Sequence, residues 1–249
     1  MNRLNVSACL IQVARVTLLL IMLGSPIFAQ ARPFEITDNS FFVEEAFNQD
    51  AGIVQNIFGV DVRRDGGWEA TFTQEWPIVV QRHQFSYTVP YEGGRRMSGL
   101  GDALINYRLQ VVTESTRSPA FSPRVSLIVP TSSGSSDAGW QVNLPLSKQF
   151  GDAYVHFNAG FTRVADTSVS QMAASGIWRL RPMLNVMLES VAAFEDADTT
   201  VILAPGLRTG WNRGDSQIIV GFAVHVDVTG GSGDPGVFGY FSYELPFTK

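Results

Sequence analysis

The residues best suited to chemistry are scattered along this chain. Three histidines, His83, His156 and His225, lie in separate segments, without the HxH or HxxxH spacing that brings two metal ligands to one face. The serine motif G-x-S-x-G is absent as well. Serines, histidines and aspartates do occur, but a triad is defined by geometry that strand spacing cannot supply. The sequence therefore predicts no metal, no cofactor and no catalytic residue.

Two further patterns could in principle carry chemistry. The stretch VEEAF (43–47) places two carboxylates side by side, as a paired-carboxylate site would. It equally fits a short solvated segment at the entrance of a larger structure, or one tucked inside it. The glycine-rich stretches TSSGSSDAG (131–139) and GSGDPG (231–236) precede no helical pattern, so they indicate flexible loops rather than phosphate cradles.

The first 31 residues have the features of an export signal. They contain Arg3 and Arg15 but no acid, an apolar run from Val16 to Phe28, and the small-residue motif Ala29-Gln30-Ala31. We expect cleavage after Ala31, which would also remove Cys9, the single cysteine of the chain. The predicted domains are a signal peptide (1–31), an N-terminal periplasmic or lumenal segment (32–51) and a barrel (52–249).

Beyond residue 50 the dominant hydrophobic period is two. In the stretch 217–227, Val220, Phe222, Val224 and Val226 alternate with small or polar residues, and similar alternation recurs along the chain. Successive side chains of a strand point to opposite faces, so each segment has one apolar and one polar face. We count twelve segments, near 52–61, 68–76, 82–89, 99–112, 120–129, 140–149, 153–163, 168–179, 183–194, 201–211, 217–227 and 237–247. Segments of about ten residues in an even number are typical of a transmembrane antiparallel β-barrel.

The connections and the aromatic residues favour the same fold. Connections after odd-numbered segments are longer than those after even-numbered ones, as expected for outer loops and periplasmic turns. The five tryptophans, Trp68, Trp76, Trp140, Trp178 and Trp211, open or close segments, which predicts aromatic girdles at the lipid headgroups. In the last segment, Phe241, Tyr243, Leu245 and Phe247 alternate like the carboxy-terminal signal read by the barrel-assembly machinery, followed here by Thr248 and Lys249.

Several stretches resemble a known family. They are PFEITDNSFFVEEAFNQDAGIVQ (33–55), RHQFSYTVP (82–90), GLGDALINYRLQ (99–110), FSPRVSLIVPTSSG (121–134) and QVNLPLSKQF (141–150). Together they resemble the MetA-pathway of phenol degradation family of outer-membrane transport proteins; the second half of the chain agrees in pattern only. The resemblance implies an outer-membrane β-barrel involved in the passage of small, often aromatic, compounds.

The polar face defines the candidate lumen. By parity it carries Arg82, Asp102, Arg108, Arg124, His156, Glu189, Arg208, His225, Asp227 and Glu244. A barrel of twelve strands lies between small filled barrels and wide porins, so the lumen could conduct or be blocked.

We therefore expect a barrel in the bacterial outer membrane that lets a small solute pass. The alternatives are a non-conducting structural barrel, a lipid-acting outer-membrane enzyme, and a soluble periplasmic β-sandwich that binds a ligand. Outer-membrane lipid is an expected partner, and the net charge of −5 without a basic cluster argues against nucleic acid.

Overall fold

The computed structural model describes residues 35–36, 38–95, 97–134, 137–214, 216–229 and 235–247. The predicted signal peptide and the first residues of the segment 32–51 lie outside the described residues, as do Thr248 and Lys249. Within the described ranges the regular elements are strands, and no helix there is long and apolar enough to cross a membrane.

The strands of the described residues form one antiparallel sheet. They are β1 (Ile53–Arg63), β2 (Trp68–Pro77), β3 (His83–Gly93), β4 (Ser98–Leu100), β5 (Ala103–Leu109), β6 (Ala120–Phe121), β7 (Arg124–Val129), β8 (Gly139–Phe150), β9 (Ala153–Val164), β10 (Thr167–Arg181), β11 (Leu184–Glu195), β12 (Asp198–Arg213), β13 (Ser216–Asp227) and β14 (Pro235–Pro246). Both β4 and β5 pair with β3, and both β6 and β7 pair with β8. Each of these two couples is thus one interrupted strand, which leaves the twelve strands that the sequence predicts.

The sheet closes on itself through its first strand. Phe58 of β1 lies opposite Phe72 of β2 on one side and opposite Phe241 of β14 on the other. Neighbours along the chain pair around the remaining circumference. This closed barrel confirms the predicted fold, and it excludes the two packed sheets of a β-sandwich.

The two faces of the wall have opposite chemistry. Outward-facing Phe222 and Val237 are each 53% exposed, whereas inward-facing Arg208 and Glu189 are 1% and 0% exposed. In a water-soluble domain the apolar side chains would be the buried ones. A barrel with an apolar exterior and a polar interior is the arrangement of transmembrane β-barrels.

The strand bounds give the lengths of the connections at the two ends of the barrel. We call the end where β1 begins and β14 ends the proximal end, and the opposite end the distal end. The distal connections 165–166 and 196–197 are two-residue turns, while the proximal connection 110–119 is ten residues long. Counting each interrupted strand as one, the six distal connections still average slightly more residues than the five proximal ones, so the predicted asymmetry is present but small. The distal turns are shorter than expected because the strands flanking them extend further than their hydrophobic alternation. Ala165 and Asp196 adopt φ of 49° and 46°, the left-handed conformation that such tight hairpins use.

Aromatic residues lie outward at both ends of the barrel. Trp68 and Trp140 are near the distal end, and Trp76, Trp178 and Trp211 are near the proximal end. Phe241, Tyr243 and Leu245 occupy alternate positions of β14, and the Phe247 ring lies 5.7 Å from that of Trp76. Their placement at the headgroups, and the role of β14 in assembly, remain predictions.

Candidate functional site in the barrel lumen

An irregular stretch of chain crosses the lumen. We call residues 38–50 the plug segment. Its amide groups donate to Glu189 of β11, Ser147 of β8 and Gln84 of β3, through Val43 N (3.2 Å), Ala46 N (2.7 Å) and Gln49 N (2.6 Å). Because these wall residues lie on widely separated strands, the plug segment spans the interior from one side to the other.

The backbone of the plug segment forms hydrogen bonds with side chains of the barrel wall, in place of the backbone partners it would have in a helix or strand. Both carboxylate oxygens of Glu189 accept from consecutive amides, Phe41 N, Phe42 N and Val43 N, at 3.2–3.3 Å. Asn158 accepts from Glu44 N and donates to Glu44 O, both at 2.8 Å. A buried backbone group without a partner is costly, so these wall residues specify the path of the plug segment.

One aromatic ring anchors the plug segment to the apolar part of the wall. Phe41 packs beside Phe238 and Tyr240, with ring centroids 5.7 and 5.4 Å apart. It sits over two glycines of neighbouring strands: a Cβ on Gly206 would lie 2.8 Å from the ring, and one on Gly221 2.4 Å. Only glycine leaves room for the ring at these inward positions.

The carboxylate of Glu44 meets two arginines. It accepts from Arg108 Nη1 at 3.1 Å, from Arg124 Nε at 2.9 Å and from Asn143 Nδ2 at 2.6 Å. Burial disfavours the charged form of Glu44, but the guanidinium groups of Arg124 and Arg108 prevail and lower the pKa. Glu44 is thus a charged group whose charge is neutralised by the wall.

Its neighbour Glu45 has a different environment. Glu45 Oε1 lies 3.4 Å from Arg208 Nη2 and 3.6 Å from His156 Nε2. Burial raises the pKa of Glu45 to about 8, and Asp38 adds to that shift while Arg208 opposes it. The two carboxylates of VEEAF therefore contact separate arginines and do not act as a pair.

The fold also brings a serine, a histidine and a glutamate together. The Ser147 hydroxyl lies 2.7 Å from His156 Nδ1, and Glu45 is on the other side of that imidazole. Ser147 is 1% exposed and His156 0% exposed, and Ser147 Oγ already accepts from Ala46 N. Neither residue borders either cavity described below. This arrangement holds the plug segment and offers a substrate no access.

Open space remains on both sides of the plug segment. A proximal cavity of about 440 Å³ is bordered by Arg82, Gln110 and Tyr154. A distal cavity of about 260 Å³ is bordered by hydroxyls such as Thr71 and Thr73 and by apolar and charged groups. Among the described residues no group of three or more His, Cys, Asp or Glu could hold a metal ion.

The ten lumen residues predicted by parity divide into two groups. Those in contact with the plug segment are Arg108, Arg124, His156, Glu189, Arg208, His225 and Glu244. The others lie nearer the ends. Arg82 donates to Gln110 O at 3.1 Å at the proximal end, and Asp102 accepts from Ser132 N at 3.0 Å at the distal end. Asp227 accepts from Thr229 N at 2.9 Å, while Nε2 of His225, in the first group, lies 2.7 Å from Asp61.

Sequence reasoning missed the neutral residues that bind the plug backbone. Gln84, Ser147 and Asn158 occupy inward positions by the same parity, yet carry no charge to draw notice. It also missed the glycine positions that receive Phe41. The sequence did hold one indication of this space, since Gly206 and Gly221 both occupy inward positions on adjacent strands.

Comparison with solved structures identifies the class of fold. An outer-membrane channel from Pseudomonas putida F1 matches with a TM-score of 0.60 and 10% identity, over 84% of this chain and 100% of that chain. The KdgM porin matches with a TM-score of 0.56 and 10% identity, over 78% and 99% of the two chains. The chain thus has the fold of outer-membrane channel and porin barrels. No family model matches the sequence, and no curated protein matches it.

Proposed function

We propose that this chain is a channel of the bacterial outer membrane through which a small hydrophobic or aromatic solute passes without energy input. The observation that carries the proposal is a closed barrel with an apolar exterior and a cavity on each side of one non-covalent obstruction. The fold shared with outer-membrane channels supports it. The resemblance to the MetA-pathway family supports the choice of solute.

In this channel the plug segment is the gate. Within the described residues, 38–50 have no strand pairing with the wall and hold their place through side-chain hydrogen bonds, ion pairs and the Phe41 anchor. The backbone ladder of the barrel is complete without them. The plug segment can therefore leave the wall while every strand stays paired.

The distal cavity suits an amphipathic solute. Phe42 and Phe238, whose ring centroids are 5.0 Å apart, border it together with Val43. Thr73 and Thr88, whose hydroxyls are 2.8 Å apart, border it from the wall. A flat apolar molecule with polar substituents could contact both kinds of surface.

With the β-sandwich excluded by the fold, the two remaining alternatives have less support than a channel. A lipid-acting enzyme would need its nucleophile at the lipid surface, whereas the Ser147–His156 pair lies inside the wall. A purely structural barrel would have no use for cavities on both sides of a detachable segment. We further propose that β14 is recognised by the barrel-assembly machinery and that the five tryptophans contact lipid headgroups.

Solute flux into liposomes tests the proposal. The purified mature protein, folded in detergent and reconstituted, should admit benzyl alcohol or a similar small aromatic faster than protein-free liposomes. Phe41→Ala, which removes the anchor and leaves the wall intact, should increase the rate. Equal rates for protein-free, wild-type and Phe41→Ala liposomes, with both proteins verifiably folded, would contradict a channel function.

A further inference from the structure

Two arginines face each other on adjacent strands of the lumen wall. Arg108 of β5 lies directly opposite Arg124 of β7 in the strand register. Like charges directly opposite in a sheet repel one another, so an anion between them stabilises such a pair. In this structure the anion is the Glu44 carboxylate, which accepts from both guanidinium groups.

The wall orients Arg124 without help from the plug segment. Its Nη1 donates to Asn106 at 3.0 Å and to Ser126, and its Nη2 donates to Gln141 at 2.9 Å. All three partners are wall residues, and only Nε is directed at Glu44. A guanidinium held in this way is pre-organised to bind a carboxylate.

The same pair is within reach of a solute. Arg124 and Glu44 both border the distal cavity, and each side chain is 16% exposed. Phe42 and Phe238 border that cavity as well. A molecule with an aromatic ring against the phenylalanines could place an acidic group beside Arg124.

We propose that Arg108, Arg124 and Asn143 form a carboxylate-binding site in the lumen, which Glu44 occupies as an internal substitute for an aromatic carboxylate solute. That this solute also crosses the barrel rests on the proposed function; the binding itself does not. The lowered pKa of Glu44 agrees with a site that favours the ionised form. Arg108 additionally donates to Phe47 O at 2.6 Å, so a solute carboxylate that draws Arg108 away would also loosen the plug segment.

Calorimetric titration of the detergent-folded mature protein with benzoate tests the site. Glu44→Gln replaces the resident carboxylate by a neutral amide, so benzoate should bind roughly tenfold more tightly than to wild type. Asp50→Asn is the matched control. It neutralises another carboxylate of the same segment, one that accepts from Gln81 and contacts neither arginine, so benzoate affinity should match that of wild type.

Two further titrations distinguish binding at a carboxylate site from binding that improves only because the plug segment is loosened. Benzamide has the same shape as benzoate but is neutral, so Glu44→Gln should not increase its affinity. Adding Arg124→Gln to Glu44→Gln should abolish the gain for benzoate. Folding of each variant is checked by its heat-dependent mobility on gels. Equal benzoate affinity in wild type and Glu44→Gln, or an equal gain for benzamide, would overturn the proposal. Because these titrations measure binding and not flux, they can confirm the carboxylate site even if the flux assay finds no channel. Equally, they can disprove the site even if the flux assay finds a channel.

Discussion

The strongest quantitative prediction concerns Phe41 and the glycine beneath it. In Gly221→Ala the new Cβ would lie 2.4 Å from Phe41 Cζ and 2.7 Å from Cε1, so the ring must move. Overpacking of this kind costs about 1–3 kcal/mol. Because the clash is with the ring of the plug segment, this cost reduces the free energy of docking the plug segment rather than that of strand pairing. A weakening of about 2 kcal/mol would raise the population of the released plug segment roughly 30-fold.

The assay uses the absence of cysteine from residues 32–249. Val43, 1% exposed in the plug segment, is replaced by cysteine, and the rate of its reaction with a thiol reagent reports release. Gly221→Ala should raise this rate about 30-fold, and Phe41→Ala should raise it more, because losing the ring removes about 3 kcal/mol of packing. In the Phe41→Ala background, Gly221→Ala should have little further effect beyond its 3.0 Å contact with Leu207 O.

A double-mutant cycle decides the matter. If the two substitutions act through one contact, their effects on the labelling rate are strongly non-additive. Additive effects of Gly221→Ala and Phe41→Ala, or no effect of Gly221→Ala alone, would refute the assignment of Phe41 as the anchor.

The pH response of the plug segment, the ion selectivity of the lumen and the cleavage of the signal peptide can each be measured. Because docking raises the pKa of Glu45 to about 8 from an ordinary 4.5, the docked plug segment holds a proton that the released one loses, and docking should weaken as pH rises through that range. The open fraction measured in bilayers should therefore increase from about pH 5 to pH 8. Glu45→Gln should reduce this dependence, and the part that remains comes from Asp38, whose pKa burial also raises; an opposite slope in wild type would contradict the prediction. Arg108→Ala and Arg124→Ala should shift the reversal potential under a salt gradient toward cation selectivity, since each removes a positive charge from the lumen; unchanged potentials in both would place them outside the conducting path. Amino-terminal sequencing of the exported protein should begin at Arg32, and a retained leader would disprove cleavage after Ala31.

Much of the barrel could be predicted from the sequence because its determinant is local. A strand of the barrel buries polar groups inward and exposes apolar ones outward, so most segments show a hydrophobic period of two. This period predicted the number of strands correctly, and it also predicted that Arg108, Arg124 and Arg208 face the lumen. It did not predict where the strands end, since β12 extends from Asp198 to Arg213 through residues without clean alternation.

The candidate site depends on contacts between residues far apart in the chain. Glu44 meets Arg124 across 80 residues, and Phe41 fills a space left by two glycines in separate strands. No periodicity encodes such pairings. The stretch VEEAF was noticed for its charge, but its partners became identifiable only when the closed wall was known.

Single-channel recording tests the central claim, a conducting barrel closed by its own plug segment, most directly. Wild-type protein in a planar bilayer should be mostly closed with rare discrete current steps, and Phe41→Ala should show the same steps far more often. Two folded but silent proteins would mean that the lumen does not conduct, and equal, continuous conductance in both would mean that residues 38–50 do not close it.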